Sequence, residues 1–158
     1  MIPPIESGME QGPSGRAVVE SLLEILQAEE TIRVPATGNS MGRRFEAADT
    51  VEIHQVEPGR EPHPGEVVAI NEGNRLVVHR IIRIKRTAAG VRITTKGDAA
   101  RHADAPEDAS RIAGYVTAIL KDGHRVSQCT LRARLHGVVV ACKGRLGLLV
   151  RRIPPHRR

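Results

Sequence analysis

The hydrophobic pattern of this chain has a helical period at first and changes to strand-like runs near residue 31. Val18, Leu22, Ile25 and Leu26 recur at helical spacing behind Ser14, a residue type that caps helix N-termini, while Glu20, Glu24 and Glu29 point away from them. This predicts an amphipathic helix over residues 14–30 that packs on the rest of the protein and carries no chemistry. From Thr31 the runs are short and β-branched: TIRVPA, TVEIHQV, EVVAI, LVVHRIIRIKR, VRITT and RIAGYVTAIL. Turn-forming stretches such as EPGREPHPG, NEGN, TAAG and GDAARHADAPEDAS separate them. Strands with hairpin-sized gaps and no alternating helices predict a mostly-β, antiparallel body over residues 31–123.

Both ends read differently. Residues 1–13 are rich in Pro, Gly and Glu and predict a disordered segment. Residues 124–158 form a basic tail. Its stretch LRARLHGVVVACKGRLGLLVRRI has the pattern of an amphipathic helix, although Gly137, Gly144 and Gly147 each weaken that helix by roughly 1 kcal/mol relative to Ala.

Composition narrows the classes. A length of 158 residues fits one domain able to bury a core without metals or disulfides. With one Phe, one Tyr and no Trp, the core must be aliphatic, and stacking of nucleic-acid bases has little to work with. The net charge of +6 is uneven: nine Lys/Arg and no Asp/Glu lie between Arg125 and Arg158, which leaves 15 basic against 18 acidic side chains elsewhere. The body is therefore close to neutral, and the tail is the part suited to anionic surfaces. Nucleic acid is a poor fit as a partner, since no helix-turn-helix is recognisable. Cys129 and Cys142 have no metal-type spacing and read as free thiols of a reducing compartment. The N-terminus lacks the pattern of a signal peptide, and no run of about 18 apolar residues exists. The expectation is a cytoplasmic protein needing no cofactor or metal, with peripheral membrane contact through the tail.

Candidate chemistry starts at TGNSMGRRF, Thr37 to Phe45, where Ser40 stands between glycines. The match to G-x-S-x-G is literal, but that elbow needs a buried strand before the serine and a helix after it. Here GRRFEAADTVEI follows, polar at first and soon a strand, so the hydrolase elbow is rejected. Taken alone, Ser40 is an ordinary turn serine, His79 a half-buried strand histidine between Val77 and Ile81, and Asp98 and Asp104 loop carboxylates.

Their order changes this reading. Gly38-Asn39-Ser40-Met41 is followed by Asp49-Thr50-Val51-Glu52-Ile53, then by Pro64-Gly65-Glu66-Val67-Val68-Ala69-Ile70 and Val77-Val78-His79-Arg80-Ile81. Thr95-Lys96-Gly97-Asp98-Ala99, Asp104 and Ile112-Ala113-Gly114-Tyr115-Val116 complete the series. Over roughly Val34 to Ile119 this resembles the signal peptidase I superfamily of serine peptidases, which share the LexA-type β fold. Within it the chain resembles the endoplasmic-reticulum and archaeal branch, where histidine stands in place of a lysine base. The resemblance implies Ser40 as nucleophile and His79 as general base. It implies Asp104 as the carboxylate that orients His79, with Asp98 accessory or structural; the sequence does not separate the two. Gly38, Asn39 and Met41 would border the substrate and the oxyanion.

Departures from the family pattern are equally visible. Many relatives carry a hydroxyl where this chain has Gly38, and Gly42-Arg43-Arg44 and Ala47-Ala48-Asp49 replace the usual Pro-containing stretches. No membrane anchor is recognisable. The expected function is therefore a soluble serine endopeptidase acting on a peptide or protein precursor. The alternative is a binding or regulatory module that kept the fold and lost the chemistry.

Overall fold

The computed structural model describes residues 14–42 and 49–128. A helix α1 (Gly15–Glu29) precedes eight strands: β1 (Thr31–Pro35), β2 (Thr50–Gln55), β3 (Val67–Asn71), β4 (Leu76–Thr87), β5 (Gly90–Lys96), β6 (Glu107–Asp108), β7 (Ile112–Lys121) and β8 (His124–Ser127). They make one curled antiparallel sheet in the order β1-β2-β7-β3-β4-β5-β6, with β8 paired to β7 beyond the end of β3. The mostly-β body with an N-terminal helix is what the hydrophobic pattern predicts.

Both faces of the sheet bury apolar side chains. Strand alternation sends Val67 and Ala69 to one cluster with Leu26, Ile32, Val51 and Ile53, and sends Val68 and Ile70 to the other with Ile81, Ile93 and Tyr115. This explains why EVVAI is a continuous apolar run instead of an alternating one. Register shifts in the β4–β5 ladder between Ile81 and Arg83, and in β2–β7 at Glu52/Ile53, let the sheet curl around these clusters.

Helix α1 starts at Ser14, whose hydroxyl accepts from the Ala17 N–H, and stops at Glu30 in the left-handed region with φ 60°. The Glu30 carbonyl then accepts from the Gln55 N–H at 2.9 Å, which ties the helix end to β2. Of the predicted face, Leu22 and Leu26 pack on the core, whereas Val18 and Ile25 are exposed and Val19 is buried in their place. Val18/Ile25 and Val19/Leu26 are both i, i+7 pairs, so periodicity alone fits either. Contact with β1 and β2 selects the second.

Two short strands escape the sequence pattern. β6 lies inside GDAARHADAPEDAS, read as loop, because only two of its residues pair, with Arg92 and Ile93. β8 lies in the segment assigned to the tail, which moves the end of the β body to at least Ser127. The tail helix, both cysteines, residues 1–13 and Arg43–Arg44 lie outside the described residues.

Opposite its buried apolar positions, β2 carries Glu52, whose side chain is only 7% exposed. Arg125 of β8, Thr117 of β7 and Arg33 of β1 all donate to it, at 2.5, 3.0 and 3.1 Å. The bond from Arg125 is the largest influence on this carboxyl. It outweighs burial, which acts upward, and with Thr117 and Arg33 it holds the pKa down to about 2. One carboxylate thus fastens three strands to the fourth that carries it.

Candidate catalytic site

Three side chains far apart in the chain meet at one end of β4. His79 sits on β4 opposite Val68 of β3, so the β-ladder fixes its backbone. Ser40 follows β1 in the segment Ala36–Gly42, held to the body by the Ala36 N–H on the Asp49 carbonyl at 2.7 Å. The Gly42 N–H closes a turn on the Asn39 carbonyl at 3.0 Å; Gly42 takes φ 66°, a conformation that favours glycine. Asp104 arrives from the loop after β5.

The Ser40 hydroxyl lies 3.0 Å from Nε2 of His79, and Nδ1 of the same ring lies 2.6 Å from Oδ2 of Asp104. A carboxylate can only accept, so Nδ1 carries the proton and donates to Asp104. In the neutral imidazole Nε2 then keeps its lone pair toward Ser40, as a base must. The imidazole is mostly buried, at 12% exposed, while Asp104 is about one-third exposed. Burial pushes the Asp104 carboxyl upward. Bonds from His79 and Thr95, with the charge His79 carries when protonated and that of Lys96, outweigh it and leave the pKa below the ordinary value. Asp104 is therefore ionised at neutral pH.

Asp98 has a different partner. Nε and Nη2 of Arg80 donate to its two carboxylate oxygens at 2.8 and 2.7 Å, and Nη1 donates to the Gly65 carbonyl at 2.8 Å. Arg80 is 2% exposed, a buried cation that demands such a pair. Of the two roles expected for Asp98, accessory or structural, these contacts are structural: it neutralises the residue next to His79 and does not hold the imidazole. Strand alternation is the physical reason, since Arg80 and His79 project to opposite faces of β4.

The segment after β5 also shapes the serine. The Ala99 N–H donates to the Ser40 carbonyl at 2.9 Å. A Cβ on Gly97 would stand 2.5 Å from the Ser40 carbonyl oxygen and 2.9 Å from the Ser40 Cβ. Only glycine permits this approach. The Thr95 hydroxyl donates to Asp104 at 2.7 Å. The sequence singles out Arg80, Thr95, Gly97 and Ala99 as motif positions without assigning these contacts.

A cleft of about 390 Å³ opens beside Ser40 and His79. Val34–Gly38 and Arg75–Val78 line it together with Met41 and Val51. Met41 is 4% exposed and belongs to the first core cluster, so most of it supports the cleft from the core. Gly38 borders the cleft with open space where a Cβ would be, and Asn39 is exposed beside the serine. No group of three or more His, Cys, Asp or Glu able to hold a metal occurs among the described residues. Nor is any helix among them long and apolar enough to cross a membrane. No protein-family model matches the chain, and no curated protein matches it.

Proposed function

We propose that this protein is a serine endopeptidase of the signal-peptidase-like type, with Ser40 as nucleophile, His79 as general base and Asp104 as its orienting carboxylate. The observation that carries the reading is the unbroken relay from Ser40 through both ring nitrogens of His79 to Asp104. A turn serine or a core histidine needs one such contact; the two contacts on opposite sides of one ring are what proton transfer requires.

In the reaction, the Ser40 hydroxyl attacks a peptide carbonyl as its proton passes to Nε2 of His79. The imidazolium is stabilised by ionised Asp104, and the tetrahedral oxyanion takes hydrogen bonds from backbone N–H groups near Ser40. Collapse breaks the C–N bond, and Nε2 returns the proton to the leaving amine. Water then attacks the acyl-enzyme by the reverse proton path.

The cleft favours an extended polypeptide as substrate. On the β5 side of β4 the ladder begins only at Arg80, and β1 is the terminal strand of the sheet. Leu76–His79 and the run from β1 to Gly38 are therefore strand edges facing one groove, a geometry that takes up a peptide by β-augmentation. Aliphatic walls at Val34, Val77 and Val78 suit small apolar side chains.

The test is cleavage of a peptide library by the wild-type protein and by Ser40→Ala, with products read by mass spectrometry. The proposal expects cleavage at a restricted set of apolar sites by the wild type and none by the variant. Equal turnover by both would end it, and no cleavage by either would favour a binding module.

A further inference from the structure

We infer that Thr95 is a positioning residue of this site: its hydroxyl and its carbonyl together hold Asp104 in the orientation from which it engages His79. The inference rests on the proposed serine-peptidase reading and adds to it a residue that the relay itself does not contain.

Asp104 has a problem of placement. It lies on a loop, partly exposed, and a carboxylate there would rotate unless something fixed it. Thr95 meets it at two points. The Thr95 carbonyl accepts from the Asp104 backbone N–H at 2.9 Å, and the Thr95 hydroxyl donates to Oδ2 at 2.7 Å. Thr95 itself cannot drift, because it is 1% exposed and pairs with Ile81 in the β4–β5 ladder. That same β4 carries His79 two residues earlier. One ladder thus sets the positions of both the imidazole and the hydroxyl, and Asp104 is suspended between them.

The choice of oxygen matters. The Thr95 hydroxyl and the Nδ1–H of His79 both donate to Oδ2. Each draws on the same electron density, so the threonine lowers the pull of the carboxylate on the imidazole while fixing its direction. Removing the hydroxyl therefore has two effects of opposite character: the geometry loosens and acylation slows, while a less-shared carboxylate stabilises the imidazolium and moves the acid limb of the rate profile to higher pH.

Thr95→Val keeps the shape and deletes the hydroxyl; Thr95→Ala is the second deletion, should valine fail to fold; Thr95→Ser keeps the hydroxyl. Each is studied by the pH profile of Ser40 phosphonylation with a fluorophosphonate and by the NMR resonance of the His79 Nδ1 proton. The expected result is an acylation rate lower by about tenfold in the deletion variants, with an acid limb at higher pH and a displaced Nδ1 proton. Thr95→Ser restores all three. Folded deletion variants with the wild-type limb and Nδ1 resonance would overturn the inference, as would a Thr95→Ser protein displaced as far as Thr95→Val. If wild-type Ser40 takes no label, the peptidase reading fails; the Nδ1 resonance still decides whether Thr95 holds the Asp104–His79 pair.

Discussion

At the scale of single residues, the two carboxylates read together in the sequence separate by what each faces. Asp104→Asn leaves the fold intact but offers Nδ1 an uncharged partner and permits the wrong tautomer. The expected loss in cleavage rate is on the order of 10²–10⁴-fold, with a melting temperature close to wild type. Steady-state rates alongside thermal unfolding check this, and a variant of near-normal rate would remove Asp104 from the mechanism. Gly97→Ala acts by contact alone. Its methyl would meet backbone and Cβ atoms of Ser40, which cannot swing aside as a flexible side chain does. The expected outcome is a slower reaction with Ser40 still present, read as reduced labelling of Ser40 in a folded protein.

At the scale of elements, the Glu52 staple makes a prediction about acid. Its pKa is about 2 in the fold against an ordinary 4.5, so the unfolded chain binds the proton more readily. The stability it contributes is then fully present above pH 4.5 and is lost as pH falls toward about 2. Glu52→Gln removes the charge; because Arg33 and Arg125 are themselves more than half exposed and remain hydrated, the cost is set at about 1–3 kcal/mol. Urea unfolding at neutral pH and near pH 3 checks both points, and the difference between wild type and variant should shrink at the lower pH. The elements were legible wherever the pattern was long. The six apolar runs all became strands, because alternation or continuous burial marks them whatever the tertiary context. β6 and β8 were not legible: with two and four residues they are strands only through their partners. The helix face was read correctly at Leu22 and Leu26 but not at Val18 and Ile25, since Val18/Ile25 and Val19/Leu26 have the same spacing and only the sheet distinguishes them.

At the scale of the whole molecule, the Arg80–Asp98 pair joins the end of β5 to β4 and, through Gly65, to the loop before β3. Asp98→Ala leaves a buried guanidinium without its counter-charge, and the expected destabilisation is about 3–5 kcal/mol. A shifted urea midpoint with an unchanged slope would show it. Asp104→Asn should not move that midpoint comparably, so the two substitutions divide stability from chemistry. Of the candidate site, Ser40, His79 and Asp104, which the fold brings together, could be named from motif order. Their supports could not, because a buried arginine and a threonine hydroxyl reveal their roles only once distant segments are brought into contact.

If Ser40, His79 and Asp104 form a peptidase centre as proposed, the His79 imidazole accepts the Ser40 proton. The most direct measurement is the rate at which a fluorophosphonate labels Ser40, mapped by mass spectrometry, in the wild-type protein and in His79→Ala. A single adduct on Ser40 is expected, its formation slowing by at least about 10²-fold without the imidazole. An unlabelled Ser40 in the folded wild type, or an equal rate in the variant, would contradict it.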